Sequence, residues 1–269
     1  MSDSDDYALL TRRVRALATT KLPMLVLPEV LLPRQKMRLV LTSDEAAMIR
    51  RHAGAQVCVG TLTEGTSQTH GVEAVVVEVS QEFNDSGYGD PCVYTATLLG
   101  RRIFELDGGA GDGASPSSSS MPIRYVDLGL SDQLQAARTP LSRASELVAR
   151  ELNVLVDTWL ELVRGGGETL WGRKRGRERD WSHIAAVNRM MADLGELPGI
   201  SRPSERALWV AALINPCNVE EEAWPGLDVR ARVLTAETPT ERLMLAKTGI
   251  VDSIYRLKGG KWPLNSYYW

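Results

Sequence analysis

The hydrophobic period of this chain changes once, near residue 130, and that change constrains the fold more than any single motif. Before it, apolar residues come in short runs punctuated by Gly, Pro, Asn and Asp: Leu22–Leu27 (LPMLVL), Lys36–Leu41 (KMRLVL), Ala55–Thr61 (AQVCVGT), Val72–Val79 (VEAVVVEV), Cys92–Leu99 (CVYTATLL), Arg101–Leu106 (RRIFEL) and Ile123–Leu128 (IRYVDL). Short runs rich in β-branched and aromatic residues, closely spaced by turn formers, predict the strands of a small barrel or sandwich. One helix is expected among them, capped by Ser43 or Asp44 and running through Ala46, Ala47, Met48 and Ile49.

Beyond residue 130 the period is helical. Thr139–Pro140 offers an N-cap with proline at the first helical position, and Val148, Leu152, Leu155, Trp159 and Leu162 follow at spacings of four and three. Gly165–Gly167 ends that helix. A second is expected over 180–194 with Ile184, Val187, Met191 and Leu194 inward, and a third over 204–214, stopped by Asn215–Pro216. The fourth opens on a capping box, Thr238-Pro239-Thr240-Glu241, carries Leu243, Ala246, Ile250, Ile254 and Leu257 on one face, and stops at Gly259–Gly260. Strands first and helices second predict an α+β protein in two parts: a β domain over 1–130 and a helical subdomain over 131–269.

The bulk properties fit that layout. At 269 residues, 43% hydrophobic and 24% charged, the chain has room and apolar content for about two ordinary domains. The net charge of −3 splits into −4 before residue 130 and +1 after it, which argues against a surface that coats nucleic acid throughout. Three cysteines (Cys58, Cys92 and Cys217) without CxxC spacing support neither a disulfide framework nor a cysteine zinc site. The acidic opening MSDSDDY is unlike a signal or transit peptide, and no apolar run reaches membrane-spanning length. A cytoplasmic protein is expected, with mitochondrion or plastid left open for a mature chain. Asp107–Ser120 (DGGAGDGASPSSSS) reads as a flexible Gly/Ser loop, lacking the third glycine and the following helix of a dinucleotide-binding turn.

Several of these pieces, taken in order, resemble the LON substrate-binding domain, the N-terminal module of Lon proteases. Leu22–Leu41 (LPMLVLPEVLLPRQKMRLVL) resembles its opening strand pair, Ala46–Arg51 (AAMIRR) the short helix after it, and Gly71–Val79 (GVEAVVVEV) the next strand. Thr97–Leu106 (TLLGRRIFEL) is similar to the family's glycine–arginine–arginine–phenylalanine strand, and Arg124–Leu128 to the strand that returns after it. Leu208–Pro216 (LWVAALINP) and Thr238–Ile254 resemble its helical subdomain. Two departures stand out: Leu32-Pro33-Arg34 replaces the family's phenylalanine-proline-glycine, and the Gly/Ser segment enlarges the long hairpin. The resemblance implies a PUA-like β-barrel (the fold named for pseudouridine synthase and archaeosine transglycosylase) followed by a helical bundle. In the full protease this module binds protein substrates and does not cut them.

Catalytic signatures are missing from the sequence. There is no Walker A loop, no GxSxG elbow and no room for the Lon peptidase domain. His52, His70 and His183 lack ligand spacing, Cys58 and Cys92 sit in apolar runs, and Glu220–Glu222 reads as a solvated loop. No enzyme activity, metal or cofactor is expected. Two segments are candidate sites. The aromatic end of the chain, with Trp262, Tyr267, Tyr268 and Trp269, has the composition of a protein contact. The basic run Arg173, Lys174, Arg175, Arg177 and Arg179, flanked by Trp171 and Trp181, could meet RNA or an acidic partner, or simply be a solvated loop. The expected partners are other proteins or unfolded polypeptide, without membrane insertion. The alternatives are an RNA-binding PUA-like protein and a structural subunit of a large assembly.

Overall fold

A computed structural model describes residues 20–51, 58–63, 70–82, 93–106, 120–129, 132–133, 143–165, 182–217 and 227–259. The chain divides into two units, Met1–Ser131 and Asp132–Trp269. The first holds strands β1 (Thr20–Leu27), β2 (Lys36–Leu41), β3 (Cys58–Thr63), β4 (His70–Glu82), β5 (Val93–Leu106) and β6 (Ser120–Tyr125), with helix α1 (Ser43–Arg51) after β2. The second holds helices α2 (Arg143–Gly165), α3 (Ser182–Leu194), α4 (Pro203–Ile214), α5 (Arg230–Thr235) and α6 (Pro239–Leu257). This is the α+β order expected from the change of period.

The strands lie in the order β2-β5-β4-β3-β1-β6, and β5 pairs with β6 as well. Strands β1, β3, β4, β5 and β6 therefore close into a ring, which settles the choice between barrel and sandwich. Among the described residues, only β1 and β3 run parallel. Closure depends on the length of β5: its first half pairs β2 from Tyr94 to Leu99, and its end pairs β6 from Phe104 to Leu106. The two strands expected over 92–99 and 101–106 are thus one strand that continues through Gly100. Glycine does not break it, because the main chain of the β1–β2 connection docks there. Arg34 N–H donates to Gly100 O at 2.8 Å, and Gly100 N–H donates to Gln35 O at 2.9 Å. A Cβ on Gly100 would run into Leu32 O.

Side chains alternate across each strand. One face carries the barrel interior: Leu22, Met24, Phe104 and Ile123, packed with Cys58, Leu62, Leu106, Met121 and Tyr125. The space is tight. A Cβ on Gly60 would lie 2.5 Å from Met24 Sδ, and one on Gly71 would lie 2.5 Å from Thr61 O. The opposite face of the same strands is buried too, at Leu25, Leu27, Val59, Val72, Ala74 and Ile103. Burial on both faces explains why these runs are almost continuously apolar.

Helix α1 starts as a capping box one residue earlier than expected. Thr42, in place of Ser43 or Asp44, accepts from Glu45 N–H at 3.3 Å, and Glu45 Oε2 accepts from Thr42 N–H at 2.8 Å. In the helical unit, α6 packs on α2, α4 and α5. Its N-cap is Thr238, which accepts from Glu241 N–H at 3.1 Å, with Pro239 at the first position. The Glu241 carboxylate turns back to Glu237 N–H at 3.2 Å. The predicted stripe Leu243, Ala246, Ile250, Ile254 and Leu257 is buried throughout. Helix α4 is apolar all round because nearly all of it is buried, from Arg206 to Ile214 without interruption. The buried side of α2 is rotated slightly from the expected stripe: Val148, Leu152 and Trp159 are inside, joined by Val156 and Val163, whereas Leu155 and Leu162 are only partly covered. The short helix α5 has no strong signal in the sequence and was not expected.

Candidate functional site

Two helices of the second unit form a surface with unusual chemistry. Helices α2 and α6 run side by side in the same direction, as three cross-contacts in register show. Ser145 Oγ lies 3.1 Å from Thr240 Oγ1, Lys247 Nζ donates to Glu151 Oε2 at 2.6 Å, and Trp159 Nε1 donates to Ser253 Oγ at 2.8 Å. The last bond is buried and satisfies the one polar atom of a fully enclosed indole.

The Glu151–Lys247 pair marks the outer seam between the helices. On α2, Leu147 and Val154 stand four residues before and three after Glu151, so all three share one side. On α6, Met244 stands three residues before Lys247, and Val251 and Tyr255 four and eight after it, again on one side. These five apolar side chains are all exposed: Val154 by 66%, Leu147 by 57%, and Met244, Tyr255 and Val251 by 40–49%. Exposed apolar residues scattered singly are ordinary; these five stand on two neighbouring helices. Beside the inward stripe of each helix, this second, outward set is the signal that the sequence holds for the face.

A polar cluster joins β4, β5 and β6. Glu73 on β4 faces Arg102 on β5. Arg102 Nε donates to Glu73 Oε2 at 2.7 Å and Nη2 to Oε1 at 3.0 Å, and the Tyr125 hydroxyl donates to Oε1 at 2.7 Å. The Arg102 guanidinium also lies over the Tyr125 ring, 3.8 Å from its centre. Burial pushes the Glu73 carboxyl up, but the bonds from Arg102 and Tyr125 outweigh it and hold the group below the ordinary carboxylate range. Burial and the Glu73 charge push the Tyr125 hydroxyl far up, and the same two causes raise the Cys58 thiol. A thiol kept protonated is a poor nucleophile, in keeping with the reading of Cys58 as a small packing residue. His70 opens β4, and its Nε2 lies 3.1 Å from Glu105 Oε1.

The sequence-predicted site residues are not among those described. Trp262, Tyr267, Tyr268 and Trp269, the run Arg173, Lys174, Arg175, Arg177 and Arg179, and Gly/Ser residues 107–119 lie outside the described residues. Cys92, His52 and Glu220–Glu222 do as well, and of His183 only the helical backbone is described. Among the described residues, no three His, Cys, Asp or Glu side chains are placed to hold a metal ion, and no helix is long and apolar enough to cross a membrane.

No protein-family model matches the chain, and no curated protein matches it. Among solved structures it is similar to the Lon N-terminal domain protein from Xanthomonas campestris, at 15% identity and a TM-score of 0.40, over 84% of this chain and 95% of that one. It is also similar to the N-terminal domain of the Mycobacterium avium complex Lon protease, at 16% identity and a TM-score of 0.45, over 90% of this chain and all of that one. Both carry the name of the family that the ordered motifs of this sequence resemble.

Proposed function

We propose that this chain is a non-catalytic protein-binding module that takes an apolar polypeptide segment, or a partner subunit, on the α2–α6 face. The observation that carries this reading is the alignment of Leu147, Val154, Met244, Val251 and Tyr255 around the Glu151–Lys247 pair. Chemically the face is an apolar strip with a charged pair in its middle. An amphipathic or extended segment with apolar anchors at helical or alternate spacing fits such a strip. Protein capture is also what the resemblance to the LON substrate-binding domain implies.

The test uses a fluorescently labelled, reduced and carboxymethylated protein as unfolded polypeptide, titrated with the full chain. Binding is expected, and the double variant Val154→Glu, Val251→Glu is expected to weaken it at least tenfold. Such a loss follows when desolvated apolar anchors are replaced by charge. Equal binding by the variant would remove the face from the function. Binding of single-stranded RNA instead, with affinity falling steeply as salt rises, would favour the run Arg173–Arg179 and the RNA reading.

A further inference from the structure

The α2–α6 face is complementary to itself. The two helices run in the same direction and in a fixed register, so each outward residue of α2 has a counterpart at its own height on α6. Glu151 and Lys247 share one height, joined at 2.6 Å. Leu147 lies four residues before Glu151 and Met244 three before Lys247, so their heights agree within about 1.5 Å. Val154 lies three residues after Glu151 and Val251 four after Lys247, again an agreement within about 1.5 Å. The upper and lower of these three levels hold two exposed apolar side chains each, and the middle one holds two opposite charges.

Charge selects how such a face meets a copy of itself. A two-fold axis running across the helices lays α2 on the copy's α2, with Glu151 towards Glu151 and Lys247 towards Lys247. A two-fold axis running along the helices lays α2 on the copy's α6 at equal height. Glu151 then meets the copy's Lys247, Leu147 its Met244 and Val154 its Val251. Like charges set face to face oppose association, whereas opposite charges fix its register. The side chains of Lys247 and Glu151 are 34% and 40% exposed, so each keeps a side for a second opposite charge.

Size sets the strength. From Met244 to Tyr255 the face runs about 16 Å along α6, and two packed helices are about 20 Å wide. A patch of those dimensions is well under the about 800 Å² per partner of a standard interface, which makes the contact weak and reversible.

We infer that two copies of this chain pair through their α2–α6 faces about a two-fold axis that runs along the helices. This rests on the same face as the proposed function and adds a regulation to it: a polypeptide and a second copy compete for the same five apolar side chains, so the unpaired chain is the form that takes polypeptide.

Sedimentation of the full chain from about 1 μM to about 1 mM reads the equilibrium, and the mass is expected to rise from one copy to two within that range. Glu151→Lys alone and Lys247→Glu alone each gather four like charges at the centre of the pair, and each should need at least about tenfold more chain to dimerise. An equal mixture of these two variants restores opposite charges across the axis and should dimerise like the parent. Val154→Cys mixed with Val251→Cys should give a disulfide-linked dimer on oxidation with diamide, and neither variant alone should. This second readout stands should a charge variant fail to fold. A parent chain that stays a single copy over the whole range overturns the inference, as does a dimer that the charge variants leave equally tight, or a mixture of them that stays monomeric. Cysteine variants that link as readily alone as together overturn the axis. If the chain pairs as expected and no polypeptide binds, the pairing stands and the binding function fails. If polypeptide binds a chain that never pairs, the function stands and the pairing fails.

Discussion

Arg102 grips Glu73 with two hydrogen bonds across β5 and β4, and the two partners differ sharply in exposure: the carboxylate is 4% exposed and the guanidinium 58%. The guanidinium therefore keeps one side in water while it compensates a buried anion. The glycines beside Glu73 on the same face leave their space to Met24 and Phe104. Gly60 stands opposite Glu73 on β3 and Gly71 two residues before it on β4. The Tyr125 hydroxyl then occupies the remaining side of the carboxylate.

Glu73 should make stability depend on acid pH. Its carboxyl titrates lower in the folded protein than in the unfolded chain, where it has the ordinary value of 4.5. A lowered folded value means a contribution fully present above about pH 4.5 and lost as pH falls through the folded pKa. The variant Glu73→Gln keeps the shape but takes the charge from the three bonds that the carboxylate accepts, and should unfold about 2 kcal/mol more easily at pH 7. Its stability should also fall less between pH 5 and about pH 3 than that of the parent. Denaturant unfolding at three pH values checks both expectations; parallel pH profiles would contradict them.

Gly100→Ala should be severely destabilising. The added methyl meets a backbone carbonyl, Leu32 O, which cannot move without breaking the bonds that Arg34 and Gln35 make with Gly100. A loss of about 2–3 kcal/mol is expected, as for overpacking against rigid structure. Gly129→Ala is the control, since its Cβ would come no closer than 3.4 Å to Asp127 Oδ1. Equal melting temperatures for the two variants would show that the β1–β2 connection is not held at β5.

Arg34→Gly should stabilise the protein. Arg34 has φ 70°, and Pro33 precedes it in a turn closed by Gln35 N–H donating to Leu32 O at 3.1 Å. Proline followed by a residue of positive φ is the pattern of a type II turn, whose third position prefers glycine. Relief of the left-handed strain, less the extra freedom of glycine in the unfolded chain, leaves about 0.5–1 kcal/mol. A rise of a few degrees in Tm is the expected result, and a fall would mean that the arginine side chain contributes more than its backbone costs.

Ser253→Ala should cost more than its size suggests. It leaves the enclosed Trp159 Nε1 without its acceptor and removes a tie between α2 and α6. An unsatisfied buried donor costs about 1–3 kcal/mol. The double variant Trp159→Phe, Ser253→Ala removes both polar atoms, and its loss should fall short of the sum of the two single losses. Additive losses would show that the bond contributes nothing to stability.

The parts of this protein that were legible before its structure are those that depend on neighbours in sequence. The Thr238–Glu241 cap, the stripe from Leu243 to Leu257 and the strand Lys36–Leu41 could each be read from a window of a few residues. The errors are also local in kind. Gly100 looks like a strand break unless one knows that Leu32 lies against it, and Thr42 was passed over for the equally good cap residues beside it. The outward sets on α2 and α6 are short, and the inward stripe of each helix already accounts for its apolar period.

Sequence alone determined the order of strands and helices, the change of class near residue 130 and most of the buried helical stripe, since hydrophobic period and capping chemistry act over one or two turns of chain. Only the tertiary structure decided that β5 reaches from β2 to β6 and closes a barrel, that Glu73 meets Tyr125 52 residues away, and that α2 lies parallel to α6 with Glu151 bonded to Lys247 96 residues away. Those pairings follow from the joint packing of surfaces far apart in sequence. Apolar periodicity says which side of an element is buried, but it does not say against what.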